Sequence, residues 1–395
     1  MSYSKKDLEG VDWDFPNIRN EGMQSFHWYP ATFVSAVPGS LIPLLTKENA
    51  VVLDPFCGTS VTGLEAIRLN RSFIGVDSNP IAILISQAKL LFPDLSRLHE
   101  TLSFRSRSGL FAKDEKLITN HHPKETELKR WYHKDTYKEL LLILHRVKCI
   151  RETSIRIPAQ AIFSSILKTV SSQWRHWGWV CDNVAPKHDE IIYKDAFNAF
   201  HRALEKYSSF VDEVLDDMQG RGIMLSRREI RRRHRVSCAD SNFFVSALPK
   251  SSVDLIMTSP PYYGVADYVK SQRLSFLWFE KDLIPVEGYS FDDFEELRKR
   301  EMGQRSSRNS AKAFQQYVDY MHDCFRLWHS VLKRTGLLAI VLGDSSSRQD
   351  TSDLLEQYAT EAGFRLQYNT TRRITTARRR LIAQVKTEYL KIYSK

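Results

Sequence analysis

A doubly wound, mostly parallel α/β sheet interrupted by a helical insertion is what this sequence predicts, and three observations predict it. Short apolar runs end repeatedly in a polar or acidic turn: Val51 to Leu53 before Asp54, Ser72 to Val76 before Asp77, Val236 to Ala239 before Asp240, and Val253 to Met257 before Thr258. Helical periods lie between such runs, the alternation that builds a parallel sheet. Between the second and third runs the chain leaves that rhythm for about 130 residues, from Thr101 to Ile230, enough for a small domain of its own. The expected division is a core in two parts, 1–100 and 231–395, with the insertion at 101–230.

The elements follow in order. After the first strand comes the turn Asp54-Pro55-Phe56-Cys57-Gly58-Thr59-Ser60, and Leu64 and Ala66 sit on the helix expected next. A strand, a glycine turn and a helix N-terminus make a pocket for an anionic or polar group. The methionine carboxylate of S-adenosylmethionine suits it, with Asp54 facing the ligand's ammonium. The second strand closes on Asp77, about twenty residues further, the distance at which an acidic residue meets ribose hydroxyls in doubly wound nucleotide folds; Asn79-Pro80 starts the following helix.

Within the insertion, Leu140, Leu141, Leu144 and Val147 repeat at helical spacing, as do Ile162, Phe163, Ile166, Leu167 and Val170, and then Phe197, Phe200, Leu204, Val211 and Leu215. These are amphipathic helices of a small bundle, preceded by an aperiodic linker, Ser103 to Lys116. Beyond Asp240 and the fourth strand, Leu274 to Phe279 reads as a helix. The polar stretch Glu295 to Lys312 is expected as an exposed loop that closes on a partner. An amphipathic helix from Phe314 to Leu332, a strand from Gly336 to Gly343, a helix from Leu354 to Ala362, and strands at Phe364 to Tyr368 and Tyr389 to Tyr393 complete the chain.

The fourth strand opens into Thr258-Ser259-Pro260-Pro261-Tyr262, which suits methylation of an exocyclic amino group on a nucleobase. Such an amine delocalises its lone pair into the ring and attacks poorly until acceptors grip its protons. Ser259 Oγ and the Pro260 carbonyl can be those acceptors. Pro260 and Pro261 lack N–H groups and have fixed φ, so the turn is stiff and shows carbonyls without competing donors. Tyr262 offers an aromatic face to a base, which must first leave the duplex. Gly264 permits the next loop to fold over it.

Taken together, these residues resemble the amino-methylating DNA methyltransferases, the cytosine-N4 and adenine-N6 group, and the serine form of the [DNS]-P-P-[YFW] motif is most similar to the cytosine-N4 members. The likeness spans most of the chain outside residues 101–230. Their N-terminal cofactor motif resembles His27-Trp28-Tyr29-Pro30-Ala31-Thr32-Phe33, their FxGxG loop Phe56 to Ser60, and their acidic strand ends Asp77 and Asp240. The resemblance implies S-adenosylmethionine held by His27, Tyr29, Pro30, Phe33, Asp54, Pro55, Phe56, Gly58, Thr59, Asp77 and Asp240, with Asp77 on the ribose and Asp240 on the adenine amino group. It implies double-stranded DNA as partner and a restriction-modification or host-defence setting, in which a restriction endonuclease is a candidate companion. One position departs: Ser60 stands where the loop has its second glycine, and serine fits there only if φ stays negative. Alternatives stay open: adenine-N6 methylation on the same acceptors, RNA guanine-N2 methylation, and a catalytically silent nucleic-acid-binding protein. Alone, the imperfect GxGxxG at Gly58 to Gly63 also fits a nicotinamide or flavin site, and Pro-Pro-Tyr an ordinary loop.

Composition agrees with a polyanionic partner. The net charge is +10 with pI near 9.2 over 395 residues, although a positive balance also serves plain solubility. Arg227, Arg228, Arg231, Arg232 and Arg235 share one face if helical, and Arg372, Arg373, Arg378, Arg379 and Arg380 form a second cluster; each is a phosphate contact or a solvated surface. The tryptophan-rich segment Gln173 to Trp179 is core packing or a base-stacking platform. No apolar run has membrane-spanning length and the start carries no export signal, so a cytoplasmic location is expected. The five cysteines lie far apart, and none follows a proline, which disfavours carbon methylation by a cysteine nucleophile. Neither cysteines nor histidines show metal-ligand spacing, so no metal is expected.

Overall fold

The computed structural model describes residues 5–30, 32, 34–103, 122–173, 185–279, 294–345, 350–373 and 387–395. Strands β1 (Val51–Asp54), β2 (Ser72–Asp77), β3 (His234–Cys238), β4 (Val253–Thr258), β5 (Leu332–Gly343), β6 (Arg365–Arg373) and β7 (Thr387–Ser394) form one sheet in the order β3-β2-β1-β4-β5-β7-β6. All pairs from β3 to β5 are parallel, and β7 runs antiparallel between β5 and β6. This is the mostly parallel, doubly wound α/β sheet the sequence predicts. Strand order reverses between β1 and β4, and the crevice beyond the strand ends at such a switch is where this fold binds ligands.

Both faces of the sheet are covered, which is why its strands read as continuous apolar runs. Along β5, Leu337, Ala339 and Val341 join a cluster with Val52, Leu255 and Met257, while Leu338, Ile340 and Leu342 join Leu53 and Ile256 on the opposite face. Helices α1 (Ala36–Leu45), α2 (Val61–Arg68) and α3 (Pro80–Leu91) cover the first face. The start of α3 is fixed by Asn79, whose side chain accepts from the Ile81 amide at 3.0 Å, with Pro80 in the first turn; there the missing proline N–H costs nothing.

The insertion supplies α4 (Lys134–Cys149), α5 (Thr153–Val170) and α6 (Ala196–Gly220). Ile162, Phe163, Leu140, Phe200 and Leu204 belong to the same cluster as α3 and the sheet, and α5 packs on α3. The inserted helices therefore thicken one layer of the core. Next, α7 (Arg227–Arg232) carries a capping box between Ser226 and Glu229 and leads straight into β3. The arginine cluster thus sits at the N-terminal end of the parallel strands, and its helical face ends at Arg232. Arg233 donates to Asn70 Oδ1 at 2.6 Å, and Arg235 stands on the strand with its guanidinium 4.9 Å from the Phe244 ring centroid.

On the second face lie α8 (Ser241–Ser246), α11 (Ala311–Val331) and α12 (Thr351–Glu361). Tyr317, Met321, Cys324, Phe325 and Trp328 turn one stripe of α11 onto the sheet. Helix α9 (Arg273–Phe279) places Trp278, fully buried, against His122, Tyr132 and Phe163 of the inserted segment at ring separations of 5.4, 5.7 and 5.8 Å. The stretch expected as an open loop is instead α10 (Phe294–Arg300) and a 3-10 turn, Arg305–Ser307, followed directly by α11. Leu297 anchors α10 in the core. No helix among the described residues is long and apolar enough to cross a membrane.

Candidate active site

A cleft partly open to solvent lies at the C-terminal ends of β1, β2, β3 and β4. Three sets of residues from distant parts of the sequence line it. Tyr29 and Pro30 come from the N-terminal segment, Pro55 to Thr59 and Asp77 from the turns after β1 and β2, and Asp240, Ser259 and Pro261 from the turns after β3 and β4.

The turn after β1 is tied down from all sides. Cys57 N donates to Val76 O at 3.0 Å, Ser60 N to Cys57 O at 2.7 Å, and Ser86 Oγ to Gly58 O at 2.7 Å. Gly58 has φ +48°, and a Cβ there would meet nothing nearer than Tyr29 Cε1 at 4.0 Å. The backbone therefore faces open cleft. Gly63 serves packing, since a Cβ on it would lie 2.5 Å from the Phe73 ring. Ser60 takes φ +53° and ψ +51°, so the expectation of a negative φ is corrected: the turn demands the left-handed conformation, and serine adopts it at a strain cost of about 1–2 kcal/mol.

Asp77 accepts from Gly58 N at 3.0 Å and Asn79 N at 2.8 Å, joining the first two turns, and burial pushes its pKa up to about 6. Tyr29 accepts from Asn79 Nδ2 at 3.1 Å and stacks on Tyr268. Asp240 caps α8 by accepting from Phe243 N at 2.9 Å and also accepts the Tyr320 hydroxyl at 2.8 Å. Two of the residues expected to hold the cofactor do not line the cleft. His27 is bonded through its ring nitrogens to Trp28 O at 2.7 Å and Ser164 Oγ at 2.9 Å, and burial lowers its pKa to about 4. Asp54 is buried behind the turn, accepting from Thr258 Oγ1 at 2.7 Å and Phe56 N at 3.1 Å; burial raises its pKa to about 6. Phe33 lies outside the described residues, as do Trp174, Trp177, Trp179 and Arg378 to Arg380.

The proline corner is held by groups far along the chain. Tyr317 donates to Pro261 O at 2.9 Å. Ser259 Oγ donates to Tyr262 Oη at 3.2 Å, and Tyr262 Oη donates to Glu388 Oε1 at 3.2 Å. Pro260 is buried, and neither it nor Tyr262 is among the cleft-lining residues. The following loop pairs with the segment after α10: Gly264 N donates to Gly303 O at 2.8 Å and Arg305 N to Ala266 O at 3.0 Å. Glu301 accepts from the Tyr268 and Val269 amides, and burial raises its pKa to about 8. Tyr268, Leu297, Arg300, Glu301 and Tyr320 are among the other residues of the cleft wall. Sequence reasoning placed Tyr268 beneath the loop after the proline corner and Arg300 in an exposed stretch, and assigned neither to this cleft; α10 was hidden by its charge, and nothing local marks Tyr320 as a neighbour of Asp240.

A family model described as DNA methylase matches residues 2–88 and 253–395, leaving out the inserted helices. Type II methyltransferase M.MvaI of Kocuria varians is 21% identical over 266 residues, 65% of this chain and 57% of its own length. Type II methyltransferase M.MjaII of Methanocaldococcus jannaschii is 19% identical over 423 aligned positions, covering 85% of this chain and 76% of that one. DNA adenine methyltransferase YhdJ of Escherichia coli is 34% identical over 77 residues, 20% of this chain and 26% of that protein. The chain therefore spans little more than half of the first relative and about a quarter of the last.

Proposed function

We propose, on the premise that this chain belongs to the DNA methylase family, that it transfers a methyl group from S-adenosylmethionine to an exocyclic amino group of a DNA base, cytosine N4 in particular. One observation carries the reading: Ser259 and Pro261 of the proline corner open onto the same cleft as Tyr29, Gly58 and Asp77. The cleft residues fit the cofactor. Gly58, whose N–H is held by Asp77 and whose carbonyl is held by Ser86, leaves room where a side chain would stand for a carboxylate beside the N-terminus of α2; Asp77 offers acceptors to ribose hydroxyls, and Asp240, on the cleft wall, offers an acceptor to an adenine amino group. Tyr29, Pro30, Pro55, Phe56 and Thr59 supply the walls.

When bound, S-adenosylmethionine supplies a methyl group on a positively charged sulfur. The remaining work belongs to the chain. Ser259 Oγ and the Pro260 carbonyl accept the amine's protons and point its lone pair along the line of transfer, so that positioning supplies most of the rate. The half-buried ring of Tyr262, set just off the cleft lining, is the aromatic face proposed for the base, and the loop from Gly264 to Tyr268, paired with the segment after α10, closes the site against water. Arg298, Arg305 and Arg308, on the cleft side of the sheet, suit the phosphates of double-stranded DNA better than the α7 cluster at its opposite end. The serine in the corner supports cytosine over adenine, and relatives named as type II methyltransferases support a restriction-modification setting.

The test is direct. Unmodified genomic DNA is incubated with the protein and S-adenosylmethionine carrying a labelled methyl group, digested to nucleosides and analysed by mass spectrometry. N4-methylcytosine is expected; N6-methyladenine would move the assignment to the other amine, and no labelled nucleoside would remove the enzymatic reading.

A further inference from the structure

Resting on the reading just given, we infer that a buried ion pair, Arg372 with Glu388, fixes the direction of the hydrogen bonds at the proline corner so that Ser259 acts only as an acceptor. The pair lies far from the corner in sequence and directly behind it in space. Arg372 and Glu388 face each other across β6 and β7, and Glu388 lies opposite Gly343, at the cleft end of β5. Both are buried, with Arg372 Nη1 2.6 Å from Glu388 Oε2 and Arg372 Nε donating to Trp13 O at 3.0 Å.

The direction follows from a count of protons. A carboxylate paired with a guanidinium has lone pairs only. Tyr262 must therefore donate its one proton to Glu388 Oε1, 3.2 Å away. Toward Ser259 the phenol oxygen can then only accept, so the serine hydroxyl spends its own proton on Tyr262, at 3.2 Å. What Ser259 presents to the cleft is lone pairs. An unanchored serine hydroxyl would rotate and could turn its proton toward the amine nitrogen, blocking the lone pair that attacks.

Arg372, Glu388 and the Tyr262 hydroxyl are thus positioning residues acting through Ser259, and they set specificity as well as rate. A fixed acceptor welcomes an N–H and opposes a carbonyl oxygen at the same place, so the site selects an amino base against its keto counterpart. Sites built around a required hydrogen bond discriminate strongly, because the wrong group leaves a buried partner unpaired.

Two variants test this. Tyr262→Phe keeps the ring and removes the relay, and Glu388→Gln keeps the shape and permits the reverse direction. Single-turnover methyl transfer is measured on unmodified DNA, together with calorimetric binding of S-adenosylhomocysteine. Each variant is expected to transfer about tenfold more slowly, the scale of one lost directional hydrogen bond, with ligand affinity and KM for DNA within about twofold of wild type. The double variant should be no slower than Tyr262→Phe alone, since both act through one chain. Once the methylated position is mapped, duplexes carrying its keto counterpart there, uracil for cytosine or hypoxanthine for adenine, are compared in binding; wild type should prefer the amino base and Tyr262→Phe should narrow the preference. Wild-type rate and preference in Tyr262→Phe, or fully multiplicative losses in the double variant, would overturn the inference and leave the enzymatic reading standing. If wild type itself methylates no base amine, both fall. Should Glu388→Gln fail to fold, Tyr262→Phe alone decides.

Discussion

Lowering the pH from 7 to 5 should weaken binding of S-adenosylhomocysteine about tenfold, and Asp77 should be the reason. Its carboxylate joins the two cofactor turns through the Gly58 and Asn79 amides, and burial raises its pKa to about 6. Ribose hydroxyls need acceptors there, so the ionised form binds. At pH 7 about nine in ten sites are ionised, and at pH 5 about one in ten, which gives the factor. The ligand's amine keeps its proton throughout this window. Calorimetric titration of wild type and Asp77→Asn at pH 5, 6 and 7 checks it: the variant should bind weakly at pH 7 and lose the pH dependence. A wild-type affinity that does not change, or a variant with the same slope, would refute the assignment. The same shift has a stability face. A carboxyl whose pKa rises on folding contributes stability below its unfolded pKa and loses it as pH rises through about 6. The stability difference between Asp77→Asn and wild type should therefore shift toward the variant between pH 4 and 7, by at most about 3 kcal/mol, on top of a pH-independent cost because the amide oxygen can accept from only one of the Gly58 and Asn79 N–H groups. Because the carboxylate opens onto the cleft, solvent screening keeps the shift below that bound.

Other expectations follow from the packing and charge. Ser60→Gly should stabilise the protein by about 1 kcal/mol in urea titration, because the left-handed backbone at φ +53° strains serine and its side chain makes no cap bond there; a loss of stability would mean that the turn does not impose this conformation. Trp278→Ala should cost about 3–5 kcal/mol, since the ring is fully buried between α9 and the inserted segment. A cost below about 1 kcal/mol would show that the insertion is not docked as described. DNA affinity should fall with salt at a log–log slope near −5 if about six phosphates are neutralised, and an affinity independent of salt would remove DNA as the partner.

Much of the fold was legible because its signals are local. Strands β1, β2 and β4 announce themselves as apolar runs closed by Asp54, Asp77 and the proline corner, and burial on both sheet faces makes such runs unbroken. The residues bordering the cleft at Gly58, Asp77 and Ser259 were readable for the same reason, as each lies at the end of a strand or in the turn that follows it. What escaped was set by register and tertiary contact. Glu388 meets Arg372 only because β6 and β7 pair antiparallel, and Tyr320 reaches Asp240 only through the placement of α11. Helix α10 has five acidic or basic residues and only two apolar ones, Phe294 and Leu297, which leaves no period to read. The inserted helices looked like a separate bundle because each shows one apolar stripe, yet α5 buries Ile155, Ala159, Ile162, Phe163 and Ile166 over an arc wide enough to meet both its own neighbours and α3. Ser60 shows the limit of motif matching, since the sequence names the residue but the turn chooses its φ.

The position of β7 has a consequence for how the chain reaches this state. Among the described residues β6 pairs with β7 alone, and β7 also completes the bonding of β5. A nascent chain that has passed Arg373 but not yet made Thr387–Ser394 therefore holds one strand with no neighbour and another with a bare, apolar margin, both open to pairing with other chains. Ribosome-bound chains halted before Thr387 should accordingly be the ones that chaperones retain and that self-associate when released, while those extended through Ser394 should not.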